Sequence, residues 1–229
     1  MNAHSVPVIA VDGPSGVGKG MVTRALQSRL PGWHLLDSGA LYRLLALAAS
    51  KQSLALSDAE AVAALAPGLR IEFLQDFQNK EVIKLNGLDV TSQVRSEAMG
   101  GLASRIASLP PVRKALFDRQ LAFRAPPGLI ADGRDMGTVV FKDALLKIFL
   151  EASADERARR RHAQLREMGL DARLDDLRTE ILQRDERDRA RAIAPLVPAE
   201  DAVTIDTTLL KPAEVLAKVD ELLKSRGLI

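Results

Sequence analysis

The chain has 229 residues, 47% of them hydrophobic and 27% charged, which is enough apolar content for a globular core without covalent staples. It has no cysteine, which excludes disulfides and thiolate metal sites and fits a reducing, cytoplasmic setting. With 32 basic against 30 acidic residues the net charge is only +2, and aromatics make up 3%, so neither a nucleic-acid arm nor a base-stacking platform is expected.

The first apolar stretch, Val6 to Val11, is short and contains Pro7. It has neither the charged start nor the long apolar middle of a signal peptide, and no run approaches the roughly 20 apolar residues of a membrane helix. Val8 to Asp12 reads as a buried parallel strand, because the apolar run is continuous and ends in turn residues. Lys19 to Leu30 follows as a helix, His34 to Asp37 as a short strand, and Ser38 to Ser50 as a helix capped by Asp37 or Ser38. Asp58 to Ala66 is a further helix, stopped by Pro67-Gly68. Polar and apolar residues then alternate over Leu69 to Leu74 and Glu81 to Leu85, and Asn86-Gly87 is a hairpin signal. The spacing predicts a small antiparallel insert over 69–95. Helical patterns return over Glu97 to Ala107 and Pro111 to Phe123, and strands over Gly128 to Asp132 and Leu146 to Leu150. Charged helices over Ala154 to Met168 and Asp175 to Arg191 flank a break at Gly169-Leu170-Asp171. A last strand, Val203 to Asp206, and a closing helix, Pro212 to Lys224, complete one α/β domain built as a three-layer, doubly wound parallel sheet.

The most informative segment is Gly13-Pro14-Ser15-Gly16-Val17-Gly18-Lys19, which joins a strand to a helix in the G-x-x-x-x-G-K pattern of the P-loop. Glycines at these positions let successive main-chain N–H groups turn inward as a nest for phosphate oxygens, and the helix start adds its positive end. Lys19 then carries a full charge to the β- and γ-phosphates of a nucleoside triphosphate. The pattern normally continues with a Ser or Thr whose hydroxyl meets Mg²⁺, whereas here Gly20 and Met21 follow. Magnesium is therefore expected on nucleotide oxygens and water, with Asp132 a possible ligand through water. His4, His34 and His162 lack metal-binding spacing.

From Asp155 to Arg191 the chain has eleven Arg, no Lys and ten Asp or Glu. One reading is a pair of solvated helices laced with weak ion pairs. The other assigns some arginines to phosphate, since a merely solvated face would mix in lysine. On one helix, Arg184, Asp188 and Arg191 would share a face, as would Arg157 and Arg161.

Four segments together resemble the bacterial cytidylate kinases of the nucleoside monophosphate kinase group: Asp12 to Gly20 (DGPSGVGKG), Leu36 to Arg43 (LDSGALYR), Ile130 to Phe141 (IADGRDMGTVVF) and Arg184 to Leu196 (RDERDRARAIAPL). The resemblance covers nearly the whole chain, and Met21 departs from the Thr usual in the family. It implies phosphoryl transfer from Mg²⁺-bound ATP to CMP or dCMP, giving CDP or dCDP in pyrimidine nucleotide metabolism, by a cytoplasmic monomer with no nucleic-acid or membrane partner. By the same resemblance, Gly13, Pro14, Ser15, Gly16, Val17, Gly18, Lys19, Gly20 and Met21 bind ATP. Arg157 and Arg161 belong to a helical lid over residues 155–172. Ser38, Arg43 and Arg134 meet the acceptor phosphate, and Ser104, Arg113 and Asp135 meet the cytosine. Arg184 and Asp188 meet the acceptor's sugar and phosphate, and Arg191 reaches the transferring group. Lys19, Arg134, Arg184 and Arg191 are the expected catalytic residues.

Overall fold

The computed structural model describes residues 6–78, 80–167, 169 and 171–229. His4, Met168 at the expected helix end and Leu170 in the expected break lie outside the described residues. The chain forms two compact units, one of Met1–Asp37 with Gln120–Ile229 and one of Ser38–Arg119.

The first unit is built on five parallel strands: β1 (Val8–Asp12), β2 (His34–Asp37), β6 (Leu129–Gly133), β7 (Leu146–Glu151) and β8 (Val203–Asp206), in the order β2-β6-β1-β7-β8. All five residues of β1 are buried, which explains why its sequence is continuously apolar instead of alternating. Residues Ile9, Val11, Ile130, Ile148 and Ile205 point to one face. There they meet Val22 and Leu26 of α1 (Lys19–Arg29) and Val215, Val219 and Leu223 of α9 (Pro212–Ser225). Burying a side chain of this size contributes about 1.5–3 kcal/mol, so this layer firmly supports β1 and the loop at its end. Arg29 and Asp220 form an ion pair between the two helices.

The register aligns Asp12 with Gly133 on one side and Phe149 on the other. The C-terminal ends of β1 and β6 are therefore level, the place where open parallel sheets bind ligands. At the end of β1 the chain reverses through Gly13, whose φ is +146°. A Cβ there would lie 2.2 Å from the main-chain oxygen of Leu150, so no other residue fits. After β6, residues Met136–Val140 form a single wide helical turn with amide bonds from Val140 to Asp135 (3.2 Å) and from Phe141 to Met136 (2.7 Å). Turns of this i→i+5 type are frequent at functional sites.

Two charged helices, α7 (Ala154–Glu167) and α8 (Leu174–Arg189), pair through a small apolar core of Ala158, Leu165 and Leu177, with Ala172 and Ile181 packed against it. An ion pair joins Arg178 to Asp155 on their exposed side. Helix α8 ends earlier than its charge pattern predicts. Ala190 is its C-cap, and the amide of Leu196 returns to the carbonyl of Asp188 (2.9 Å), so Arg191 lies beyond the helix instead of on its face. A polar run carries no stop signal, and Ala194, with φ of +55°, makes the reversal.

The second unit is centred on α2 (Ser38–Lys51), which is buried along most of its length and packs on α3 (Ala59–Leu65), α4 (Thr91–Arg95) and α5 (Glu97–Ile106). Strands β3 (Ile71–Gln75), β4 (Glu81–Leu85) and β5 (Leu88–Asp89) form the expected antiparallel sheet, and α6 (Pro110–Leu121) follows. Asn86 and Gly87 both have positive φ, 52° and 85°, as a two-residue hairpin requires. The predicted insert extends to Arg95, but its last five residues are helical. Thr91 Oγ1 accepts from the Ile83 amide (2.8 Å) and Arg95 Nε donates to Glu81 (2.9 Å), so long-range bonds fix a turn too short to show periodicity. Among the described residues no helix is long and apolar enough to cross a membrane.

Candidate functional site

Lys19 opens α1 and is only 8% exposed. Its Nζ donates to the carbonyls of Gly13 and Pro14, both at 2.9 Å, and lies 3.9 Å from Asp132 at the end of β6. Gly16 and Gly18 adopt φ of +80° and +99°, which carries the loop around the lysine and into the helix. Burial, followed by the nearby Arg134 guanidinium, lowers the Lys19 ammonium from 10.5 to about 7. Asp132 opposes that shift, while Arg184 adds to it. Arg134, just after β6, and Arg184, on α8, are thus brought to Lys19 from 115 or more residues downstream in the sequence.

Asp188 is 1% exposed and accepts from Arg134 Nε (3.3 Å) and from Arg191. Although Arg191 leaves the helical face expected for it, Asp188 still holds it beside Arg134. Arg134 also donates to the Gly133 carbonyl (3.1 Å), and Arg184 Nη1 reaches Ser15 Oγ at 3.5 Å. Of the four residues expected to be catalytic, Lys19, Arg134 and Arg184 therefore gather at the loop, and Asp188 joins Arg191 to Arg134. Such convergence of cations on a main-chain nest is suited to stabilising a polyphosphate and the charge that spreads during phosphoryl transfer.

Three residues support this cluster that the sequence reading left without a role. Asp12, the last residue of β1, accepts from the amides of Met136 (2.9 Å) and Gly137 (2.8 Å). Burial raises its carboxyl from 3.8 to about 7 against the pull of those two amides, with Asp135 adding to the rise. Its position directly before Gly13 was the only signal available. Thr207, after β8, donates its amide to the Glu151 carbonyl (2.8 Å), and its hydroxyl lies 3.2 Å from the carbonyl of Val17 in the loop. Asp185 is the third, and it binds Arg157.

Arg157 is 2% exposed, and its Nε donates to Ala152 (3.0 Å) and its Nη1 to the Ser15 carbonyl (3.1 Å), while both Nη atoms pair with Asp185. Arg161, one turn on, donates to Gln164 Oε1 at 2.7 Å. Asp135, 3% exposed, begins the wide turn after β6 and is close enough to raise Asp12.

The remaining predicted residues belong to the second unit. Ser38 is buried at the start of α2, and Arg43 donates to the carbonyls of Val94 and Ser96, both at 2.8 Å. Ser104 is buried on α5. Arg113, on α6, donates to the Ala107 carbonyl (3.3 Å) and lies 6.0 Å from the centre of the Tyr42 ring. Arg113 and Tyr42 are thereby brought together by α6 and α2.

Residues 9–225 match the sequence family described as cytidylate kinase. The chain is 56% identical over 216 residues to a cytidylate kinase of Stutzerimonas stutzeri, with 93% of each chain covered. It is 55% identical over 212 residues to one of Sodalis glossinidius, covering 93% of this chain and 92% of that one. With the enzyme of Colwellia psychrerythraea the identity is 53% over 216 residues, covering 94% and 95%. The family match over residues 9–225 takes in the phosphate loop, the turn after β6 and the end of α8. This chain belongs to the cytidylate kinase family.

Proposed function

We propose that this chain transfers the γ-phosphoryl group of ATP to CMP or dCMP, releasing ADP and CDP or dCDP. Family membership supports the reaction class. The observation that carries the reading is the convergence of Arg134 and Arg184 on Lys19, strong enough that both disfavour its charge. Asp132 beside Lys19 and Asp188 beside Arg134 offset part of this positive charge, and a polyphosphate suits the remainder.

The acceptor in such a transfer is already a phosphate oxygen, so no strong base is needed. Catalysis then comes from in-line placement and from neutralising charge on the transferring group. Lys19 and the amides from Gly13 to Met21 hold the donor phosphates. Arg134, Arg184 and Arg191, the first and last aligned by Asp188, surround the group in flight. Ser38 and Arg43 take the acceptor phosphate, and Arg184 and Asp188 its sugar side. Cytosine offers a donor at N4 and acceptors at N3 and O2, chemistry that a carboxylate such as Asp135 and a guanidinium such as Arg113 complement, and Ser104 is assigned to the base with them. Arg161 and Arg157 act on the ATP side, on a helical lid over 155–172.

The donor set suits a magnesium ion carried in by the nucleotide. Gly20 and Met21 have no hydroxyl to offer, and Thr23 Oγ1 is engaged with the Gly20 carbonyl (3.3 Å). Among the described residues no group of three or more His, Asp or Glu could hold a metal by itself. Mg²⁺ typically keeps several waters and takes one or two carboxylates plus phosphate oxygens, so Asp132, beside Lys19, fits as a contact through water. Held there, the ion would help neutralise the charge of the donor phosphates. A monomeric, cytoplasmic enzyme acting on free nucleotides completes the proposal.

Turnover of ATP against CMP, dCMP, UMP and AMP, measured side by side through ADP release, tests the reading. CMP and dCMP should be the fastest acceptors, and equal rates with all four would refute it.

A further inference from the structure

Arg157 and Asp185 form a buried ion pair, 2% and 4% exposed, between the first turn of α7 and the last part of α8. The pair does not stop at the two helices. Arg157 Nη1, which binds Asp185 Oδ1 at 3.1 Å, also donates to the main-chain oxygen of Ser15 at 3.1 Å. The stem of Arg157 lies against Gly16, where a Cβ would come within 3.3 Å of Arg157 Cβ. Each of the three guanidinium nitrogens is engaged by protein, since Nε donates to Ala152 at 3.0 Å.

Burying two charges is seldom favourable for stability alone, because the lost hydration offsets the attraction. What the pair supplies is geometry. A planar fork held flat by a carboxylate presents its remaining N–H in one direction, and here that direction is the Ser15 carbonyl of the phosphate loop. A loop rich in glycine has little stiffness of its own, and the amides that must face a polyphosphate are fixed only if their carbonyls are fixed.

We propose that Arg157 and Asp185 are a positioning pair for the phosphate loop: Asp185 orients Arg157, and Arg157 holds the Ser15–Gly16 peptide so that the following amides face the donor phosphates. The pair sets affinity for the polyphosphate from outside the site. This deepens the kinase reading and rests on it for the identity of the donor. It differs in sign from a direct contact of Arg157 with ATP. If Arg157 bound phosphate itself, Asp185 would compete for it, and weakening Asp185 would leave ATP affinity unchanged or tighter.

The test measures binding of ADP and of inorganic tripolyphosphate by calorimetry to the full chain, its Asp185→Asn variant and its Asp185→Glu variant, with melting curves for each. Asparagine removes the charge that holds the fork, and glutamate keeps the charge but displaces it. Positioning predicts that both ligands bind about tenfold more weakly to each folded variant, with KM for ATP rising while KM for CMP stays within about twofold. A variant that melts at a lower temperature yet binds both ligands as tightly as the parent overturns the proposal, as does tighter binding. If one variant fails to fold, the other decides. Failure of the parent to turn over CMP would overturn the assigned acceptor, while the tripolyphosphate data would still judge the pair.

Discussion

The Asp12 carboxylate and the Gly137 amide are 2.8 Å apart, so the end of the first strand directly grips the turn that carries Arg134 and Asp135. Gly137 has no room to spare. A Cβ there would lie 3.1 Å from Lys147 Cδ and 3.4 Å from Asp12 Oδ2. Replacing Asp12 by Ala strands the amides of Met136 and Gly137 in a buried setting, each at a cost of about 1–3 kcal/mol. The gain from removing a desolvated carboxylate offsets only part of this. Urea unfolding of Asp12→Ala should show a net loss of about 1–3 kcal/mol, together with at least a tenfold fall in kcat/KM for CMP.

Lys19→Met tests the phosphate loop. Loss of a preorganised charge at the transferring group should lower kcat by about 10²–10³. The fold should survive, because the parent lysine is itself a desolvated cation crowded by Arg134 and Arg184. Near-normal kcat in a variant that melts like the parent would contradict the proposed role.

Protonation gives a separate handle on the same residue. In the ligand-free protein Lys19 titrates at about 7, and phosphate oxygens favour its charged form. Binding of ADP at pH 8 should therefore take up close to one proton, and at pH 6 almost none. Calorimetry in buffers of different ionisation enthalpy measures this, with Lys19→Met as the control that abolishes the uptake.

Stability of the ligand-free protein should follow the same two groups. Between about 7 and 10.5 the unfolded chain holds a proton that folded Lys19 has shed, so stability rises with pH. Between 3.8 and about 7 the folded state holds a proton that unfolded Asp12 has shed, so stability falls with pH. Their combined contribution has its minimum near pH 7. Lys19→Met should flatten the upper limb alone in melting curves taken from pH 5 to 9.

Base selection is the fifth expectation. Uracil presents an acceptor where cytosine presents N4, so a buried Asp135 carboxylate would face a mismatch worth about 1–3 kcal/mol. CMP should be preferred over UMP by tens-fold in kcat/KM, and Asp135→Asn, which can both donate and accept, should bring the two within a few-fold.

Much of the fold was legible because it is written locally. Continuous apolar runs at Val8–Asp12 and Leu146–Glu151 marked buried parallel strands, and Asn86-Gly87 marked its hairpin through the φ values it requires. What escaped depends on partners far away in the chain. The wide turn at Met136–Val140 is held by Asp12, 124 residues upstream, and no local pattern announces it. Asp185 differs from its neighbours on a charged helix only in what it meets, Arg157, 28 residues earlier. Arg191 was placed on a helical face because periodicity in a polar segment says nothing about where the helix stops.

Helices α7 and α8 share an apolar core of Ala158, Leu165 and Leu177, with Ala172 and Ile181 packed against it. Their tie to the strand-end loop is made near one end, through Arg157, Asp185 and the oxygen of Ser15. Displacing the two helices together would keep that core packed, whereas parting them would lay it open to water.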